Sequence, residues 1–385
     1  MHRPLLISIL LLSALPPSRA EDTTPSSTFT PDATLPGAQS AILPTLFATS
    51  HASELILLRN GDVLCFWFSG SHEGDSNVAI VMSSLPKGSL TWQTPVLVDQ
   101  EPGKSYQNPV PIEAPDGTLR LLHTSQSAGQ GQADAQVLEV DSRDGGRTWS
   151  RHTVIFSQPG SFIRQPPVLG DRGQLILPMY YSTSSGIVNG ADTNYSTVKI
   201  AAPHSSTWTE CRVPHSEGLV QMSIVKLTPR RFVAFFRSRF ADRIFRSTST
   251  NGCDWSAPVA TQLPNNNASI QAARLADGRL VIVFNNASGH HPGHILQTGK
   301  RSPLSIAISA DAGLTWTAVR DLEAGDPNSP NAVTEADEYS YPSVLQLPNG
   351  NILVTYTYRR QAIKSVLVPE TWIAEGATRG QYHPN

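Results

Sequence analysis

Short runs of β-branched and aromatic residues alternate along the chain with turn residues, and no comparably long helical period appears between them. The repeating unit is an apolar strand that enters an Asn-Gly or Asp-Gly turn and leaves as a longer apolar strand, the pattern of a β-hairpin. It runs from Leu55 to Phe68 around Asn60-Gly61 and from Val110 to His123 around Asp116-Gly117. It returns from Ala272 to Phe284 around Asp277-Gly278 and from Pro342 to Tyr356 around Asn349-Gly350. Two variants, Pro167 to Tyr180 around Gly170 to Gly173 and Met222 to Phe236 around Pro229-Arg230, bring the hairpins to six. Outgoing strands such as Asp62 to Phe68 and Arg231 to Phe236 have the composition of buried strands.

A second pattern lies between the hairpins. Ser142-Arg-Asp144-Gly-Gly146-Arg-Thr148-Trp149 returns intact as Ser309-Ala-Asp311-Ala-Gly313-Leu-Thr315-Trp316, with a degenerate copy from Thr248 to Trp255. Asp and Gly build a turn, the hydroxyls bond turn amides, and Trp plugs the turn against the sheet beneath. Trp92, Trp149, Trp208, Trp255 and Trp316 recur every 47 to 61 residues, room for four short strands and their loops. Repeats of this length built only of strands predict an all-β fold, a six-bladed β-propeller with one blade per hairpin.

The ends of the chain change this picture. Residues 1–20 have the basic start, apolar core and small-residue end of a cleaved signal peptide, which predicts a secreted or periplasmic protein. Residues 21–40, rich in Thr, Ser and Pro, are expected to form a tether, with the propeller occupying 41–385. No apolar stretch is long enough for a membrane span. A net charge of −2 argues against nucleic acid as a partner. Three cysteines, Cys65, Cys211 and Cys253, allow at most one internal bridge, of open identity. Asn194, Asn267 and Asn286 sit in Asn-x-Ser sequons, which matter only in a glycosylating pathway. No dinucleotide fingerprint, phosphate loop or zinc spacing is present, so no cofactor is expected. The histidines of Gly289-His290-His291-Pro-Gly-His294 lie in a loop whose Gly and Pro leave no fixed ligand geometry, and no metal site is expected there.

Several phrases carry a resemblance over nearly all of the chain after the tether. They are the two intact boxes, Phe66-Trp-Phe-Ser-Gly-Ser-His72-Glu73-Gly74, Ser105-Tyr-Gln-Asn-Pro109, Phe236-Arg237-Ser-Arg239, Ser302-Pro-Leu-Ser-Ile and Glu338-Tyr-Ser-Tyr341-Pro342. Together they resemble the sialidase (neuraminidase) superfamily, in its bacterial branch of BNR-repeat, Asp-box proteins. Propellers place their chemistry where the innermost strands begin. Counting nine residues back from the second residue of each hairpin turn gives Ala52, Asn108, Arg164, Gln221, Ser269 and Tyr341 as the residues at that mouth. Most are polar, which points to a site.

The resemblance implies three arginines that grip a sugar carboxylate, a Tyr nucleophile polarised by Glu, and an acidic acid/base, the known exception to the two-carboxylate rule. A neutral phenol attacks an anionic sugar without the repulsion a carboxylate would meet, and the arginine fork bonds both carboxylate oxygens. Tyr341 matches the nucleophile, Arg237 the second arginine and Arg301 the third, while Asp75 or Glu73 stands about where the acid/base belongs. Arg164, Asn108 and His51 are further candidates for substrate binding. Two positions depart from the family. His51-Ala52-Ser53-Glu54 replaces the phrase with the first arginine, and Gln221 replaces the polarising Glu, orienting a hydroxyl without acting as its base. The implied function is exo-sialidase-like hydrolysis of a terminal acidic sugar from a glycan. A lyase or hydrolase acting on another anionic, uronate-containing glycan and a non-catalytic glycan-binding propeller stay open.

Overall fold

Six antiparallel sheets of four or five strands, and a two-stranded ribbon of Ile187–Val188 with Ala191–Asp192, follow one another in the computed structural model, which describes residues 26–183, 187–188, 191–203, 205–290 and 297–375. The expected leader, residues 1–20, lies outside these ranges, as do His291 and His294. Blade 1 comprises Thr49–Leu57, Val63–Gly70, Ala79–Leu85 and Val96–Asp99, and blade 2 comprises Lys104–Glu113, Leu119–Ser127, Gln136–Ser142 and Thr153–Phe156. In blade 3 the inner strand is split into Ser161–Ile163 and Val168–Leu169, both paired with Leu175–Tyr181. Blades 4 and 5 begin at Leu219–Thr228 and Gln271–Arg274, and blade 6 at Tyr339–Gln346. The inner strands pack in chain order, and that of blade 6 meets that of blade 1, closing the ring. The expected six-bladed propeller is the fold observed.

Closure corrects one expectation. The segment read as a tether up to residue 40 is packed from residue 26 onward: Gln39–Ile42 pairs with Ala362–Val368, and Thr30–Pro31 adds a further strand. Phe29 is buried and its amide bonds the Leu90 carbonyl in blade 1. Strand pairing with the far end of the chain orders a segment whose composition alone could not.

Second strands such as Val63–Gly70 and Leu280–Asn285 are buried along their whole length, which explains their unbroken apolar character. The Ser-x-Asp-x-Gly-x-Thr-Trp boxes join the third and fourth strands of blades 2 and 5. Asp144 Oδ1 accepts from the amides of Arg147 (3.0 Å) and Thr148 (2.9 Å), and Oδ2 from the Thr148 hydroxyl (2.6 Å). Asp311 repeats these bonds with Leu314 and Thr315. The tryptophans reach across to the preceding blade, Trp149 edge-on to Phe66 and Trp316 edge-on to Phe235. Gly313 has a φ of 77°, and a Cβ there would lie 2.3 Å from the Phe235 ring, so Gly is required on both counts. In the degenerate copy Asn251 replaces Asp, and Cys253 forms a disulfide with Cys211 on the outer strand of blade 3. Cys65 is free and buried.

Candidate active site

The mouth of the propeller is built by a repeated bulge. Ala52, Asn108, Gln221 and Tyr341 all adopt left-handed backbone, with φ of 58°, 51°, 53° and 52°. At each, the inner strand carries one residue more than its partner, as between His51 and Glu54 against Phe68 and Phe66. The same shift occurs in blades 2, 4 and 6. Left-handed backbone is costly for residues other than glycine and clusters at functional positions. The four positions coincide with those counted back from the hairpin turns. Blades 3 and 5 depart from the pattern: Arg164 follows a three-residue strand, and the left-handed residue of blade 5 is Asn267, two residues before Ser269.

Tyr341 is the centre of this surface. Arg237 donates from Nη1 to the Tyr341 hydroxyl (2.6 Å) and from Nε to Asn267 Oδ1 (2.7 Å). The guanidinium carbons of Arg301, Arg237 and Arg164 lie 5.2, 5.7 and 5.7 Å from the Tyr341 ring centre. Burial alone would raise the Tyr341 phenol, but the charges of Arg237, Arg301 and Arg360 outweigh it and hold the group below its ordinary value. His51 packs beside it, ring centres 4.3 Å apart, with Nδ1 at 2.8 Å from the Thr357 hydroxyl. Burial, then the positive charge of Arg360 and Arg301, pushes the His51 imidazole well below its ordinary value and keeps it neutral.

One carboxylate organises the arginines. Glu338 is buried; its Oε1 accepts from Arg301 Nη1 and from the Ser340 hydroxyl (2.8 Å), and its Oε2 accepts from Arg360 Nε at 3.0 Å. Arg360 Nη1 in turn donates to Glu73 Oε2 at 2.6 Å, and Gln107 Nε2 approaches Glu73 Oε1 at 3.4 Å. Burial works against ionisation of Glu338, yet Arg301 and Arg360 hold its carboxyl below the usual range.

Tyr341, Arg237, Arg301, His51 and Glu73 thus come together, and Asn108 sits in the equivalent turn of blade 2. Three expectations are corrected. Arg164, expected to bind substrate, points inward: Nη1 donates to Glu54 Oε2 (2.6 Å), and Nη2 to the carbonyls of Ser53, Tyr341 and Pro342 at 3.1–3.2 Å. Its side chain is wholly buried, so it braces the inner strands rather than facing a ligand. Asp75 caps its own loop, accepting from the His72 amide (3.1 Å), and faces solvent; of the two acid/base candidates, only Glu73 reaches the arginine cluster. Gln221 meets the Tyr180 hydroxyl, with no bond to Tyr341 among the described residues. Its Oε1 is buried without a hydrogen-bond partner among the described residues. No group of three or more ligating side chains fit for a metal occurs among the described residues.

The model of the BNR repeat-like domain matches residues 61–354, more than half of the chain. The chain belongs to the BNR repeat-like domain family. No curated protein matches the sequence of this BNR-repeat chain. Among solved structures it is similar to the Hadza microbial sialidase Hz136, with a TM-score of 0.69 and 14% identity over 85% of this chain and 67% of that one. It is also similar to an intramolecular trans-sialidase from Ruminococcus gnavus (0.65, 14% identity, 87% and 98% covered). A protein of unknown function from Dyadobacter fermentans is comparable (0.65, 17% identity, 86% and 99% covered). At these identities the likeness establishes the fold.

Sequence reasoning missed four residues of the BNR-repeat mouth: Glu338, Arg360, Asn267 and Tyr180. Glu338 stands three residues before Tyr341 in a phrase that carried the resemblance, so a signal existed. Arg360 gave none, because Arg359-Arg360 after an apolar strand reads as an ordinary solvated hairpin tip.

Proposed function

We propose that this BNR-repeat propeller is a retaining glycosidase of sialidase type, acting on a terminal acidic sugar, with Tyr341 as nucleophile. The observation that carries this reading is the Tyr341 hydroxyl held at 2.6 Å by Arg237, in an arginine cluster that favours the phenolate. Such stabilisation does part of the work otherwise done by a neighbouring Glu, which explains how Gln221 is tolerated. In the first step the Tyr341 phenolate oxygen bonds to the anomeric carbon as the glycosidic bond breaks, and Glu73 relays a proton from water to the leaving oxygen. In the second, water attacks the same carbon, Glu73 accepts its proton, and Tyr341 leaves; two inversions give net retention. Arg237 and Arg301 orient the substrate carboxylate.

Two further features fit an exported enzyme: the leader of residues 1–20 and the Cys211–Cys253 disulfide, a bond that persists in oxidising compartments. A second reading rests on His51, whose imidazole packs on Tyr341 and would take the proton of a uronate in a lyase. The test is release of sugar from a panel of sialosides and uronate-containing glycans by the protein and by Tyr341→Phe. Free sialic acid that disappears in the variant supports the hydrolase. An unsaturated uronate product selects the lyase, and binding without release by either protein makes this a glycan-binding propeller.

A further inference from the structure

The family phrase that should bring an arginine to the mouth from blade 1 reads His51-Ala52 here, yet a guanidinium reaches the same place from blade 6. The Ser50 amide donates to the Arg360 carbonyl at 2.7 Å, so the backbone of Arg360 lies against blade 1 one residue before His51. The residue is presented by an unusual turn. Arg359 and Arg360 both have left-handed backbone, φ 53° and 57°, closed by the Gln361 amide on the Tyr358 carbonyl at 3.1 Å. Tight hairpin turns of this kind favour Asn and Gly, and two arginines in their place point to a demand on the side chains. The Arg360 guanidinium is also fixed: Nε is anchored at 3.0 Å on buried Glu338, the same carboxylate that holds Arg301. Of the two remaining nitrogens, Nη1 is covered by Glu73, whose side chain is 36% exposed and comes from the Ser71–Asn77 loop.

We propose that Arg360 replaces the missing first arginine as a carboxylate-binding residue, and that Glu73 occupies its place until the carboxylate of an acidic sugar displaces it. The proposal rests on the reading of the mouth as an acidic-sugar site. Glu73 is well suited to be displaced: among the described residues its carboxylate has, apart from Arg360, one long hydrogen bond, to Gln107 at 3.4 Å. The exchange trades one carboxylate for another on the same guanidinium, so no charge is left buried and unpaired. It also joins binding to chemistry. Once released from Arg360, Glu73 is free to take a proton from water and pass it to the leaving oxygen.

The test measures binding of N-acetylneuraminic acid and of its methyl ester, which lacks the carboxylate charge, to the full chain and to R360G, R360K, E73Q and R237A. Glycine suits the left-handed backbone at position 360, so R360G removes the side chain without straining the turn. The wild type is expected to prefer the acid by about 10- to 100-fold, as for loss of one charge-assisted bond. R360G should keep only the part of the acid preference that Arg237 and Arg301 supply, several-fold below the wild type, with R360K between. E73Q should bind the acid several-fold more tightly, the ester unchanged, and lose turnover, a split between affinity and rate that a purely structural Glu73 would not give. Full acid preference in R360G, with loss in R237A, overturns the role of Arg360 while leaving the acidic-sugar site standing. Unchanged acid affinity in E73Q overturns the exchange. A wild type that does not distinguish acid from ester overturns the underlying reading as well.

Discussion

Two arginine–carboxylate clusters lie one beneath the other at the inner strands, and they differ in charge balance. In the lower one, Arg164 and Glu54 are 0% and 1% exposed at the side chain, and Glu54 also accepts from Gln271 (2.8 and 3.0 Å) and from the Ser343 hydroxyl (3.0 Å). One positive and one negative charge face each other, and the neighbouring donors and carbonyls come from blades 1, 5 and 6. In the upper one, Arg237, Arg301 and Arg360 face two carboxylates, Glu73 and Glu338, and Arg237 is bonded to a phenol. The same side chains therefore serve opposite ends. A closed pair in the interior specifies how blades meet, whereas an excess of guanidinium over carboxylate at a cleft leaves room for an anion.

The largest expected effect falls on the upper cluster. Tyr341→Phe should lower turnover by at least about 10³-fold, as removal of a nucleophile does, while costing about 1 kcal/mol of stability for the lost hydrogen bond. Turnover assays beside urea unfolding check both halves. The converse pattern is expected below: Arg164→Ala or Glu54→Ala should destabilise by about 3–5 kcal/mol, because each leaves a buried charge unpaired. A stable Arg164→Ala protein that had lost only ligand affinity would erase the distinction between the clusters. Away from both, opening the Cys211–Cys253 bridge, which spans 42 residues, should cost about 4 kcal/mol by loop entropy and leave turnover at low denaturant unchanged.

A smaller effect sharpens the electrostatic side of the comparison. The folded-state pKa of His51 is depressed from its ordinary 6.5, so the unfolded chain binds the proton first, and stability present above about pH 6.5 is lost as pH falls below it. Glu338 acts in the same direction at lower pH, its contribution lost as pH falls from its ordinary 4.5 through its depressed value. Urea midpoints across this range should slope downward toward acid, and His51→Gln should flatten the part between pH 5 and 7. A midpoint insensitive to pH in the wild type would mean that neither burial nor the arginine field depresses His51.

What was legible in the sequence was local. Asn-Gly and Asp-Gly turns fixed the hairpins, the Asp and Thr of each box bond within five residues, and the bulge keeps a constant distance from the turn, so Tyr341 and Gln221 could be placed by counting. Blade 3 broke the count because Gln165-Pro166-Pro167 splits its inner strand, and Arg164, no longer in the common register, turned under the mouth. Contacts between distant segments left no trace: Gln39–Ile42 closing blade 6, Arg360 reaching Glu338 and Glu73, and the choice of Glu73 over Asp75 all depend on which blades become neighbours. The departures at His51 and Gln221 were visible, but their compensation by Arg360 and by the arginine field on Tyr341 was not.

The most direct measurement is the mass of the protein after brief reaction with a 2,3-difluoro acidic sugar, a substrate that forms a glycosyl–enzyme bond faster than it loses it. The account predicts one adduct, on the peptide that contains Tyr341, absent in Tyr341→Phe. An adduct on another residue, or sugar release with no adduct at all, would contradict it.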